Sequence, residues 1–186
     1  MLARLSWRQG SNRPPEVVSA RLSADISLAG VDVTLPPGGF LQASEDGERT
    51  LAAFATEALV GAGHNVDLFA GVGSFTFPLA EAARVHAVEG DAELAGGLQA
   101  AANRAIRPIT TETRDLFHRP LLVDELNKYD GLLFDPPRAG AKAQAEEIAK
   151  SEIPTVVAIS CNPVTFAHHH MGGATPNTFM DGFLSG

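Results

Sequence analysis

The sequence predicts an α/β domain built on a doubly wound, mostly parallel β-sheet. Three observations carry that prediction. From about residue 65 to residue 160, short apolar runs alternate with stretches of helical spacing, giving five strands. Those runs are apolar at consecutive positions, as strands buried on both faces must be. Several of them end in an acid, a glycine or a proline, where such a sheet turns and meets ligands.

The elements follow in order. Residues 1–20 contain Pro14-Pro15 and little periodicity, and are expected to form an extended arm. In 21–35 the apolar residues Leu22, Ile26, Leu28, Val31, Val33 and Leu35 partly alternate around Ala29-Gly30. That pattern predicts a small β-hairpin, ended by Pro36-Pro37-Gly38-Gly39. From Gly47, residues Leu51, Phe54, Ala55, Ala58 and Leu59 recur at helical spacing until Gly61 and Gly63 stop the helix. Then come strand 65–70, helix 74–83, strand 84–89, helix 91–105, strand 109–114, a short helix near 119–127, strand 130–135, helix 141–150 and strand 155–160. After Ala167 the Gly- and Thr-rich tail shows no clear period.

Composition narrows the function. Hydrophobic residues make up 45% of the 186 and charged residues 19%, as in a folded globular domain and unlike a disordered chain. No apolar run is long enough to cross a bilayer, so no membrane partner is expected. The stretch Met1 to Arg8 lacks an apolar signal core, and a single cysteine, Cys161, cannot form an internal disulfide or a thiolate metal cage. A cytoplasmic monomer without a metal or iron–sulfur cluster is the expectation. The net charge of −8 argues against this segment alone binding nucleic acid, because phosphate contacts rest on clustered Lys and Arg. Arg4, Arg8, Arg13 and Arg21 make only the first twenty-odd residues basic.

Four strand ends carry the candidate chemistry. In Asp67-Leu68-Phe69-Ala70-Gly71-Val72-Gly73-Ser74-Phe75, an apolar strand ends in a glycine turn and opens a helix. Gly71 and Gly73 would let backbone approach a ligand, although a tight turn alone would also explain them. Glu89 ends the next strand, about twenty residues on, where an acid can accept both hydroxyls of a ribose. Phe77-Pro78 stand where a dinucleotide fingerprint would place its last glycine. The pattern therefore favours a nucleoside without a pyrophosphate, such as S-adenosylmethionine. Asp115 ends the third strand; it can face an adenine edge or serve as a helix N-cap before Leu116. Asp135 is held at the end of the fourth strand by Pro136-Pro137, and Arg138 can reach a phosphate or base, or pair with Asp135. Cys161, in Ser160-Cys161-Asn162-Pro163, is either a small buried hydrophobe or a nucleophile at the same edge. Adjacent His168, His169 and His170 cannot converge on one ion.

These motifs, with Phe40-Leu41-Gln42-Ala43-Ser44, resemble in order and spacing those of the RNA uracil-C5 methyltransferases, enzymes that make 5-methyluridine in 23S rRNA and tRNA. The resemblance runs from about Phe40 to Ala167, and the Asp-Pro-Pro-Arg and Ser-Cys-Asn-Pro segments are its most diagnostic parts. It implies a Rossmann-like, class I methyltransferase fold over 40–167, with 1–39 as an N-terminal arm and hairpin and 168–186 as an atypical, poorly ordered tail. It implies S-adenosylmethionine contacts at Gln42, Phe69, Glu89 and Asp115, with Gly71, Gly73 and Ser74 in the turn beside them. Asp135 would lie near both methyl donor and uracil, Arg138, Asn162 and Pro163 would face the RNA substrate, and Cys161 would be the nucleophile.

The match has departures. The family places a proton-abstracting glutamate beyond the cysteine, whereas the only acid from 162 to 186 is Asp181. Ser44 stands where asparagine is common, and the N-terminal RNA-binding barrel and four-cysteine cluster of some members have no counterpart. The expectation is therefore a C-terminally incomplete methyltransferase domain. Two alternatives stand beside it: a catalytically incomplete remnant that holds cofactor or RNA, and a methyltransferase acting on another target.

Overall fold

A computed structural model describes residues 4–7, 16–20, 24–36, 45–137 and 141–159. Five strands form one parallel sheet: β5 (His64–Leu68), β6 (Arg84–Glu89), β7 (Ile109–Thr113), β8 (Gly131–Phe134) and β9 (Thr155–Ala158). Their spatial order is β7-β6-β5-β8-β9. The chain builds outward from β5 through β6 to β7, then crosses back to lay β8 on the other side of β5. That reversal falls between β5 and β8, and sheets of this kind bind ligands at the carboxyl ends of the strands there.

Successive strand residues serve two cores. Val85, Ala87, Leu133 and Val157 pack with α1 (Glu45–Ala58), α2 (Thr76–Leu79) and α3 (Ala92–Arg104). Val66, Leu68, Val88, Leu132 and Val156 pack with Leu126 of α4 (Val123–Leu126) and Ile148 of α5 (Lys142–Lys150). Neighbours such as Leu132 and Leu133 are thus both fully buried on opposite faces, which is why the strands are apolar at consecutive positions. Each such side chain contributes roughly 1.5–3 kcal/mol by leaving water.

The expected hairpin is β3 (Asp25–Leu28) and β4 (Val31–Thr34), antiparallel and in register from Asp25↔Thr34 to Leu28↔Val31. Ala29 and Gly30 both have positive φ (47° and 73°), as a tight two-residue turn between right-twisted strands requires. Leu28, Val31 and Val33 enter the same core as α3, and Arg104 and Arg107 donate to the hairpin carbonyls of Asp32 and Ala29.

Three regions differ from expectation. Within the arm expected for 1–20, β1 (Arg4–Trp7) pairs antiparallel with β2 (Glu16–Ala20), with a register shift between Leu5 and Ser6. The helix expected over 74–83 is a single turn, Thr76–Leu79, after which the chain tightens into turns closed by Glu81 N–H to Pro78 O and Ala82 N–H to Leu79 O. The short helix near 119–127 narrows to α4. No helix among the described residues is long and apolar enough to cross a membrane.

Candidate active site

Three carboxylates meet at the carboxyl edge. Asp67 on β5 is in register with Ala87 of β6 and Leu133 of β8. Glu89 and Asp135 lie two residues beyond those partners, so all three acids project from one face of three adjacent strands. Asp67 is 1% exposed, and Oδ2 accepts a 2.5 Å hydrogen bond from the Thr76 hydroxyl, while Oδ1 is buried without a partner. Burial, reinforced by the nearby charges of Asp135 and Glu89 and only partly offset by Thr76, pushes its carboxyl up to about 7. Burial also pushes Asp135 up to about 7. An edge this rich in carboxylates favours a cationic ligand, which would let both groups ionise.

Between β5 and α2 the backbone is wrapped around the edge. Phe69, Gly71 and Gly73 all have positive φ (65°, 56° and 98°). Glu89 fastens this turn: one oxygen accepts the N–H of Gly71 (2.8 Å) and the other the N–H of Asp91 (2.9 Å). Glu89 thus already organises the glycine turn that a ligand would approach. Ser74 lies partly exposed in the same turn.

Beside the acids stands an aromatic wall. Phe69 meets Phe117 edge-on at 5.4 Å and Phe134 at 6.0 Å. Asp115 sits on the adjoining loop. Its Oδ1 accepts the N–H of Phe117 (2.9 Å), capping a turn rather than the expected helix, and its Oδ2 pairs with the His118 ring (2.8 Å), which holds its carboxyl below the usual range. Half of its side chain remains exposed.

The structure therefore brings together Phe69, Gly71, Gly73, Ser74, Glu89, Asp115 and Asp135. Gln42, Arg138, Cys161, Asn162 and Pro163 lie outside the described residues, as does the 168–186 tail. Just past β9, Ile159 donates its N–H to Phe134 O at 2.9 Å, which fastens the end of that strand beside the end of β8. Three residues at the site escaped the sequence reading: Asp67, Thr76 and Phe117. For Asp67 the signal was present, an acid inside the apolar run Val66-Asp67-Leu68-Phe69. An apolar wall, a glycine turn and three acids suit a ligand combining a heteroaromatic ring, hydroxyls and a positive charge.

Comparison with known proteins bears on what that ligand is. No family model matches the chain. An uncharacterized RNA methyltransferase of Mesorhizobium japonicum is 50% identical over 144 residues, covering 76% of this chain and 35% of that protein. The 23S rRNA (uracil(1939)-C(5))-methyltransferase RlmD of Chromohalobacter salexigens is 30% identical over 174 residues, covering 88% of this chain and 36% of its own length. The chain thus spans little more than a third of these curated relatives. The solved structure of the Pyrococcus abyssi tRNA (uracil-54, C5)-methyltransferase with S-adenosyl-L-homocysteine superposes with a TM-score of 0.73 at 21% identity. That alignment covers 90% of this chain and 43% of the archaeal one, a likeness that establishes the methyltransferase fold.

Proposed function

The chain belongs to the RNA methyltransferase family that includes the uracil-C5 enzymes, and from that premise we propose that it binds S-adenosylmethionine and methylates uracil C5 in RNA. The observation that carries this reading is the carboxyl edge itself, where Asp67, Glu89 and Asp135 surround the glycine turn beside the Phe69–Phe117 wall. A ribose would take the free lone pairs of Glu89, an adenine ring would lie against Phe69 with its amine toward Asp115, and the ligand's positive charge would face Asp67 and Asp135. Gln42 would add a further polar contact. The buried, unpartnered Oδ1 of Asp67 fits such a cation or a water bridging to it.

The cofactor would supply a methyl group as an electrophile. Uracil C5 is too weak a nucleophile to take it unaided, so the chain must activate the base. The Cys161 thiolate would add to C6, placing an electron pair at C5, which would attack the methyl carbon as the methyl–sulfur bond breaks and its electrons stay with the departing thioether. A base would then take the C5 proton, and the returning electrons would expel the thiolate. Asp135 would sit between methyl donor and uracil, with Arg138, Asn162 and Pro163 against the RNA, and the target base would leave its stack to enter.

A 5-fluorouracil-substituted RNA tests this, because fluorine at C5 blocks the final proton removal and traps the cysteine–C6 bond. Incubated with S-adenosylmethionine, the chain is expected to give a denaturation-resistant adduct, absent in Cys161→Ala. An adduct that persists in Cys161→Ala would refute the nucleophile. Adduct formation without turnover on ordinary RNA would favour the second reading, a chain that holds cofactor and RNA but does not release product.

A further inference from the structure

The loop between β7 and α4, residues 114–122, carries Asp115 and Phe117 to the ligand edge without regular secondary structure of its own. Two polar side chains hold its back. Arg114 is 14% exposed, and its guanidinium divides between this loop, Glu125 of α4 and Glu112 at the end of β7 (3.5 Å). Nε donates to Arg119 O and Nη2 to Pro120 O, both at 2.8 Å. The two Nη groups fork onto Glu125 at 2.7 and 2.9 Å, and Glu125 Oε2 in turn accepts the N–H of Leu122 at 2.9 Å. A lysine cannot reproduce this planar set of donors. Gln144 of α5 is 0% exposed and clamps Leu121 at two points: Oε1 accepts its N–H (2.7 Å) and Nε2 donates to its carbonyl (3.2 Å).

Resting on the cofactor reading above, we propose that Arg114 and Gln144 are positioning residues that set Asp115 and Phe117 for recognition of the adenine amine. The fixings leave Asp115 and Phe117 exposed at the carboxyl edge, with Phe117 edge-on to Phe69. Leu116 and Leu121, 1% and 2% exposed, anchor the loop in the core on either side of its tip. Gln144 also belongs to the helix that follows Asp135-Pro136-Pro137, so one amide ties the loop after β7 to the segment after β8. Both residues act through the loop, and what they control is the placement of Asp115 relative to the ring.

The test compares two ligands on the full chain by calorimetry: S-adenosylhomocysteine, and S-inosylhomocysteine, in which a carbonyl replaces the exocyclic amine. The wild type is expected to prefer the adenosyl ligand. Arg114→Lys and Gln144→Met are expected to weaken the adenosyl ligand by roughly ten- to a hundredfold while leaving the inosyl ligand nearly unchanged. The preference then collapses to that of Asp115→Ala, and adding Arg114→Lys to Asp115→Ala costs nothing further. Equal losses for both ligands, in step with a fall in melting temperature, would mean a merely structural role and overturn the proposal. So would an unchanged preference. If Arg114→Lys does not fold, Glu125→Gln removes one half of the fork more gently and must reduce the preference in the same direction. A wild-type chain that binds neither ligand would instead overturn the cofactor reading, and this inference with it.

Discussion

Replacing Gly73 with alanine tests how tightly the glycine turn is packed into the fold. At φ +98° an L-residue is strained, and a Cβ built there would lie 2.8 and 2.9 Å from two ring carbons of Phe77 and 3.2 Å from Leu98 Cδ1. Phe77 and Leu98 are 0% and 1% exposed, so neither has open space to retreat into. The left-handed backbone costs about 1–2 kcal/mol. Forcing a methyl group into a packed core adds about 1–3 kcal/mol. The expected loss of about 2–5 kcal/mol is a large share of the ~5–15 kcal/mol that holds a domain together. Gly71 is the control: its φ is also positive (+56°), but an added Cβ would meet nothing within 4 Å. Urea unfolding followed by circular dichroism reads both variants. Gly73→Ala is expected to lose at least about 1 kcal/mol more than Gly71→Ala, the difference being the overpacking cost. Equal losses, or a Gly73→Ala midpoint matching the wild type, would refute the packing of this turn against Phe77.

Two further outcomes follow from the buried groups. Asp67 and Asp135, pushed up to about 7, hold protons in the fold that the unfolded chain has released from near its ordinary 3.8 upward. Their contribution to stability is therefore full below about pH 4 and is lost as pH rises toward 7. Asp67→Asn is expected to flatten the decline of the urea midpoint across that window, and an unaltered slope would remove Asp67 as its source. Val33, 1% exposed in β4, packs in the core shared with α3. Val33→Ala is expected to cost about 1–3 kcal/mol by the same assay. A midpoint equal to the wild type would mean that the hairpin adds nothing to the core.

The fold was legible where burial on both faces left a one-dimensional mark. Runs such as Gly131-Leu132-Leu133-Phe134 can be placed without tertiary knowledge, because a parallel strand between two layers needs apolar side chains in both directions. The β3–β4 hairpin was legible from its alternation and from Ala29-Gly30. The β1–β2 pair was not: Val17 and Val18 are adjacent and both exposed, so no period of two marks the strand. At the site, strand-end acids could be picked out by position alone. The pairing of Asp67 with Thr76 could not, since it depends on how α2 folds back over β5. Arg114 was hidden for the same reason, as its partners lie on the loop after it and on α4, brought together only by the turn at Asp115.

The claim that this edge methylates uracil C5 through Cys161 is tested most directly by following the methyl group. RNA containing uridine is incubated with the chain and S-adenosylmethionine labelled in its methyl group, then digested to nucleosides and separated. The expected result is label in 5-methyluridine with the wild type and none with Cys161→Ala. Label in a different nucleoside, or 5-methyluridine formed equally by Cys161→Ala, would contradict it.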